Sequence, residues 1–134
     1  MGAAFSFAPL IVFPLFYIMN ERRTIREQEM TLVRHLLTLA GKNPDEINIP
    51  TQVEEYEGGK MGSINFTDFD KAPYLNDLVQ VKYIDSDGTP VVITLTQNTE
   101  NEILDMDFWK KDFSKLLLYP TPETVAVKDP NEMI

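Results

Sequence analysis

The sequence predicts an α+β domain: one N-terminal amphipathic helix packed on an antiparallel sheet of about five strands in meander order. Three observations predict it. One window, residues 24–40, repeats apolar side chains at three- and four-residue spacing and ends at a glycine. Everything after it breaks into short runs that alternate or are rich in β-branched residues. Those runs are joined by short Gly- and Asp-containing turns, with no Rossmann, phosphate-loop or repeat pattern among them.

The helix is marked by Ile25, Leu32, Val33, Leu36, Leu37 and Ala40 on one face. Thr24-Ile-Arg-Glu27 fits a capping box, and Gly41 stands where a helix-ending glycine belongs, with Pro44 soon after. Glu29 falls inside the apolar face and reads as a rim residue rather than a buried functional acid. His35, the single histidine, projects at the polar edge and reads as inert.

Residues 42–50 form a loop. Residues 51–57 and 61–66 read as a hairpin around Glu57-Gly-Gly-Lys60, with Gly62 marking close backbone approach. Residues 67–74 are irregular. Residues 78–84 alternate, Asp85-Ser-Asp-Gly-Thr-Pro90 is an Asp-Gly turn, and residues 90–96 (PVVITLT) are a β-branched strand. Residues 102–108 are the last strand, and residues 109–118 pack down as a clasp. Three units follow: an apolar segment at 1–20, a single domain at 21–120, and a loose acidic tail at 121–134.

Composition excludes several functions. The 134 residues contain no cysteine, so disulfides, thiolate metal sites and a cysteine nucleophile are ruled out, which suits a reducing cytoplasm. Twelve basic against twenty-one acidic side chains give a net charge of −9, the wrong sign for gripping a nucleic-acid backbone and the right one for a basic protein partner. No cofactor is implied. Residues 3–19 are nearly all apolar and interrupted by Pro9 and Pro14. They stand open as a short membrane segment with the domain in the cytoplasm, as a signal peptide, as a segment packed on the domain, or as an upstream extension of a product that starts at Met19. The last of these is preferred.

The chemistry-bearing residues concentrate at 102–120. Asp105 and Asp107 alternate with Leu104 and Met106, which in a regular strand puts both carboxylates on one face, roughly 7 Å apart. Two acids at that spacing are able to do acid/base work on a glycoside, yet nothing in the sequence builds a sugar cleft. The favoured reading is a surface for a basic partner made by Asp105, Asp107, Trp109, Lys110, Asp112 and Phe113. Trp109 and Phe113 themselves read first as sealing the edge of the core, and second as interface anchors. Asp85-Ser-Asp-Gly88 begins like a calcium loop, but it lacks the later oxygen donors and flanking helices, so it reads as a hairpin turn. Ser63 has no histidine in its sequence context and reads as a hairpin shoulder. No residue qualifies as catalytic.

Four motifs together resemble a family of small bacterial domains of unknown function. They are Arg-Arg-x-Ile-x-x-x-Glu29, Val53-Glu-Glu-Tyr-x-Gly-Gly-x-Met-Gly-Ser63, Asp85-x-Asp-Gly-x-Pro-Val91 and Leu104-Asp-x-Asp-Phe-Trp-Lys-x-Asp-Phe-x-x-Leu116. The resemblance spans about residues 21–120 and implies no established activity, cofactor or substrate. Two departures from the family pattern stand out: Lys60 interrupts Gly-Gly-Met, and Asp107-Phe108 replaces the shorter spacing between Asp105 and the tryptophan, with Phe108 as the extra residue. An extra residue there implies a shifted alternation or a bulge, so whether Asp105 and Asp107 share a face stays open. The expected function is a non-enzymatic interaction module, of which a toxin-neutralising immunity protein is one form. The alternative is a small ligand-binding or hydrolytic domain that uses Asp105, Asp107 and Glu29.

Overall fold

The computed structural model describes residues 22–134. The apolar segment at 1–20 lies outside them. Within them, no helix is long and apolar enough to cross a membrane.

The chain opens with a short strand, β1 (Arg22–Thr24), and then a helix, α1 (Glu27–Leu39). Six strands follow: β2 (Gln52–Glu55), β3 (Ile64–Asn65), β4 (Tyr74–Ile84), β5 (Pro90–Asn98), β6 (Ile103–Lys110) and β7 (Ala126–Val127). All pair antiparallel in one sheet, in the order β1-β2-β3-β6-β5-β4-β7. The expected mixture of helix and antiparallel sheet is present, but with seven strands rather than about five. The helix is the second element, not the first. β1-β2-β3 and β4-β5-β6 each follow sequence order; the two runs join where β3 pairs with β6, and β7 returns to β4.

The two unexpected strands sit at the two edges. β1 pairs with β2, and its Arg23 reaches across to Glu29 on α1. β7 lies in the supposedly loose tail, where Lys128 N–H donates to Gln80 O and Glu132 pairs with Lys82.

The helix begins two residues later than the sequence suggested. Thr24 belongs to β1, where its hydroxyl accepts from Gln52 Nε2 at 3.0 Å. The first-turn acceptor is Glu29, whose carboxylate takes the Arg26 N–H at 2.8 Å. Glu29 is therefore no rim residue: it is 2 % exposed. At the other end Gly41 has φ +81°, and Lys42 N–H donates to Leu37 O, so the glycine ends the helix as expected.

The core lies between α1 and one face of the sheet. Leu32, Val33, Leu36 and Leu37 pack against Val53, Ile64, Val81, Val91, Ile93, Leu95, Met106 and Phe108. Gly62 has φ +100°, and a side chain there would press on Leu116 and Phe108, so the backbone does approach closely. No helix covers the opposite face of the sheet among the described residues.

Candidate functional site

β6 carries a bulge, but not at Phe108. Leu95 opposes Met106, whereas Gln97 opposes Ile103, so the extra residue falls at Leu104–Asp105. The Asp105 N–H, displaced by it, donates to Thr96 Oγ1 at 3.1 Å. From Met106 onward the register is regular. Met106, Phe108 and Lys110 face the helix, while Asp105, Asp107 and Trp109 share the open face.

On that face lies a groove of about 790 Å³. Its floor is Asp105 and Asp107. One end is closed by Tyr56, whose hydroxyl donates to Asp105 Oδ2 at 3.2 Å and whose ring packs on Phe69 at 6.3 Å between centroids. The other end is closed by Trp109 and Phe113, edge to face at 6.0 Å. Met61, Ser63 and the Glu57–Gly58 turn complete the lining. Among the described residues, three non-glycine residues have positive φ: Glu57 (+52°), Asn101 (+62°) and Phe113 (+61°). Asparagine tolerates that conformation. The other two do not adopt it readily, and both line this groove. Such strain gathers where geometry serves a function.

The carboxylates are held without a counter-cation. Asp105 accepts hydroxyl bonds from Thr96 (2.5 Å) and Tyr56, and Asp107 from Ser63 (3.3 Å). Among the described residues no Lys or Arg pairs with either. Burial pushes both carboxyls above the usual carboxylate range, and the hydroxyl bonds only partly offset it; the neighbouring charges of Asp77 and, for Asp105, Asp107 add to the rise. Burial beside Asp105 likewise drives the Tyr56 phenol up, so it stays protonated and donating.

A raised carboxyl opposes folding at neutral pH, because the folded state binds the proton more tightly than the unfolded one. Asp107→Asn is accordingly expected to stabilise the domain at pH 7 by a few tenths of a kcal/mol, since solvent at the groove mouth screens the effect. The gain should vanish as pH falls through the carboxylate range. Urea unfolding at pH 7 and pH 4 checks it; destabilisation at pH 7 would show that Asp107 supports the fold.

Four of the six residues expected to form a surface, Asp105, Asp107, Trp109 and Phe113, line the groove. Trp109 and Phe113 are 39 % and 59 % exposed and stand outside the core. Asp112 turns away to hold Ser114 through its N–H and hydroxyl. Lys110 is not on a surface at all. It is fully buried on the helix side, where Nζ donates to Asp85 (2.8 Å), Asp87 (2.9 Å) and Lys115 O (2.9 Å). The aspartates of the Asp-Gly turn thus hold a lysine. Glu29, grouped with the acids in the alternative reading, lies across the sheet from the groove, bonded to Arg23.

Tyr56, Phe69, Met61 and Ser63, which also line the groove, are not among the six surface residues expected from the sequence. Tyr56 had a signal: it alternates with Glu54 and so faces away from Val53. Phe69 sits in an irregular loop with no periodicity to orient it. A second cleft, beside Lys71, Glu102 and Arg22, has these charges paired within the protein. No group of three or more metal-binding side chains is assembled among the described residues.

No curated protein and no solved structure is detectably similar to the chain. A family match does exist, and it covers β1 through the clasp, including every wall of the groove. Over residues 22–120 the sequence matches the domain of unknown function DUF6984, and the chain belongs to that family.

Proposed function

We propose that the domain is a non-enzymatic interaction module that takes a basic segment of a partner protein in the Asp105–Asp107 groove. One contrast carries this reading. Among the described residues the other buried or half-buried acids each hold a cation: Glu29 and Glu55, for example, share Arg23, and Asp85 holds Lys110. Half-buried Asp105 and the more exposed Asp107 beside it instead stand between aromatic rings, with no Lys or Arg of the described residues on either. A basic segment would supply that charge, and the rings would supply apolar contact and cation–π attraction. The missing cysteines fit action in the cytoplasm.

The test is a titration followed by Trp109 fluorescence, using a defined Lys/Arg-rich decapeptide and an acidic decapeptide of equal length. The basic peptide should bind, weaken at high salt, and lose about tenfold or more in affinity to Asp105→Asn/Asp107→Asn. Equal binding to wild type and double variant would remove the reading.

The alternative is a small ligand-binding or hydrolytic domain on the same carboxylates. It is favoured by one observation, the upward displacement of both carboxyls, which suits a general acid. Against it, no histidine lines the groove. The Ser63 hydroxyl is occupied by the Phe108 N–H (2.7 Å) and by Asp107. Turnover of a chromogenic glycoside or ester that Asp107→Asn abolishes would replace the binding reading.

A further inference from the structure

We infer that the groove reads a single arginine side chain, a guanidinium seated across Asp105 and Asp107, in preference to a lysine ammonium. The inference rests on the basic-segment reading above and deepens it.

The acceptor count comes first. Two carboxylates offer about eight lone-pair sites, and three are taken by the Tyr56, Thr96 and Ser63 hydroxyls. About five remain, the number of N–H donors a guanidinium carries; an ammonium has three. The acids are spread along the strand rather than convergent. They stand two residues apart on one face, roughly 7 Å from Cα to Cα. A planar fork of donors bridges such a span better than a point charge does.

The walls select in the same direction. Tyr56 and Phe69 stand at one end and Trp109 and Phe113 at the other, so a cation on the floor is bounded by rings on both sides. Aromatic surfaces strip hydration. An ammonium holds its water strongly, whereas a guanidinium is weakly hydrated and stacks on ring faces. The groove cannot close on an anion, because both floor groups are acids and Glu57 adds a third at the rim.

The experiment uses three pentapeptides with capped ends, Gly-Gly-X-Gly-Gly, in which X is arginine, lysine or citrulline. Each is titrated into the 134-residue protein and followed by Trp109 fluorescence and by amide shifts of β6. Arginine should bind about tenfold tighter than lysine. Citrulline, which keeps the shape and loses the charge, should not bind measurably. In Asp107→Asn the arginine-to-lysine ratio should fall close to one, and in Trp109→Leu, followed by the β6 amide shifts alone, arginine binding should weaken. Thermal unfolding of each variant establishes that it is folded.

Lysine equal to or tighter than arginine would overturn the inference. If both are also lost in Asp107→Asn, the basic-segment reading survives that result. A ratio unchanged by Asp107→Asn would overturn it too, by placing the selectivity elsewhere. Binding of none of the three would remove both readings.

Discussion

Asp85→Ala is expected to destabilise the domain by about 3–5 kcal/mol, the range for breaking a buried, hydrogen-bonded ion pair from one side. Asp85 sits at the end of the β4–β5 hairpin and is fully occupied. Oδ1 accepts from Ser86 N–H (2.7 Å) and Leu118 N–H (3.0 Å), and Oδ2 from Lys110 Nζ (2.8 Å) and Leu117 N–H (2.8 Å). Without the carboxylate, Lys110 keeps only Asp87 and one carbonyl inside the protein, and the clasp at 111–118 loses its anchor. The urea midpoint should fall with little change in slope. A loss below about 1 kcal/mol would mean that water readily replaces the carboxylate.

The same group gives the domain an acid limit. Burial alone would raise its pKa; the Lys110 ammonium and three backbone amides outweigh that and hold it at about 2, against an ordinary 3.8. A lowered folded pKa contributes stability above the unfolded value and loses it as pH falls through the folded one. Wild type should therefore lose stability between about pH 4 and pH 2, and Asp85→Ala should lose less over that window.

Glu29→Ala is expected to cost about 2–3 kcal/mol and to act first on the sheet edge. The carboxylate receives Arg23 through both terminal nitrogens, at 2.9 and 2.8 Å, and the Arg26 N–H at 2.8 Å. It therefore starts α1 and fastens β1 to it. Arg23 keeps Glu55 at 2.7 Å and is partly open to water, which holds the loss below that of Asp85. Amide hydrogen exchange should rise in β1 at denaturant levels where β5 stays protected. Unchanged exchange in β1 would show that strand pairing alone holds it. Glu29→Gln, which still accepts from Arg26, should lose less.

What could be read from the sequence followed from burial. α1 and β6 bury side chains at fixed periods, and β5 is a β-branched run buried along both faces; both signals are visible in one dimension. β1 and β7 carry almost no such signal. Arg22–Thr24 is held by backbone pairing and by ion pairs of Arg22 and Arg23 to the distant Glu54 and Glu55, and Ala126–Val127 by backbone pairing, with the Glu132–Lys82 pair nearby, so their own residues do not announce them. Lys110 misled for a related reason. Its charge argues for a surface, yet it shares parity with Met106 and Phe108, and its two partners stand 25 and 23 residues upstream. At the groove, Asp105, Asp107, Trp109 and Phe113 were found by chemistry. Tyr56 and Phe69 were missed because they arrive from a different hairpin and a loop. The bulge was expected at Phe108 and lies at Leu104–Asp105, where Thr96 absorbs it.

Two kinds of constraint are thus braided along one strand. Met106, Phe108 and Lys110 are buried in the fold, and Asp105, Asp107 and Trp109 line the groove proposed to take a partner. In the proposed binding role, the odd-numbered set is free to change without touching the even-numbered one. The reading frame between them has no such freedom. Deleting one residue inside 106–109 would invert the faces of the residues on one side of it, turning groove residues toward the core or core residues toward the groove, so change here must proceed by replacement and not by change of length.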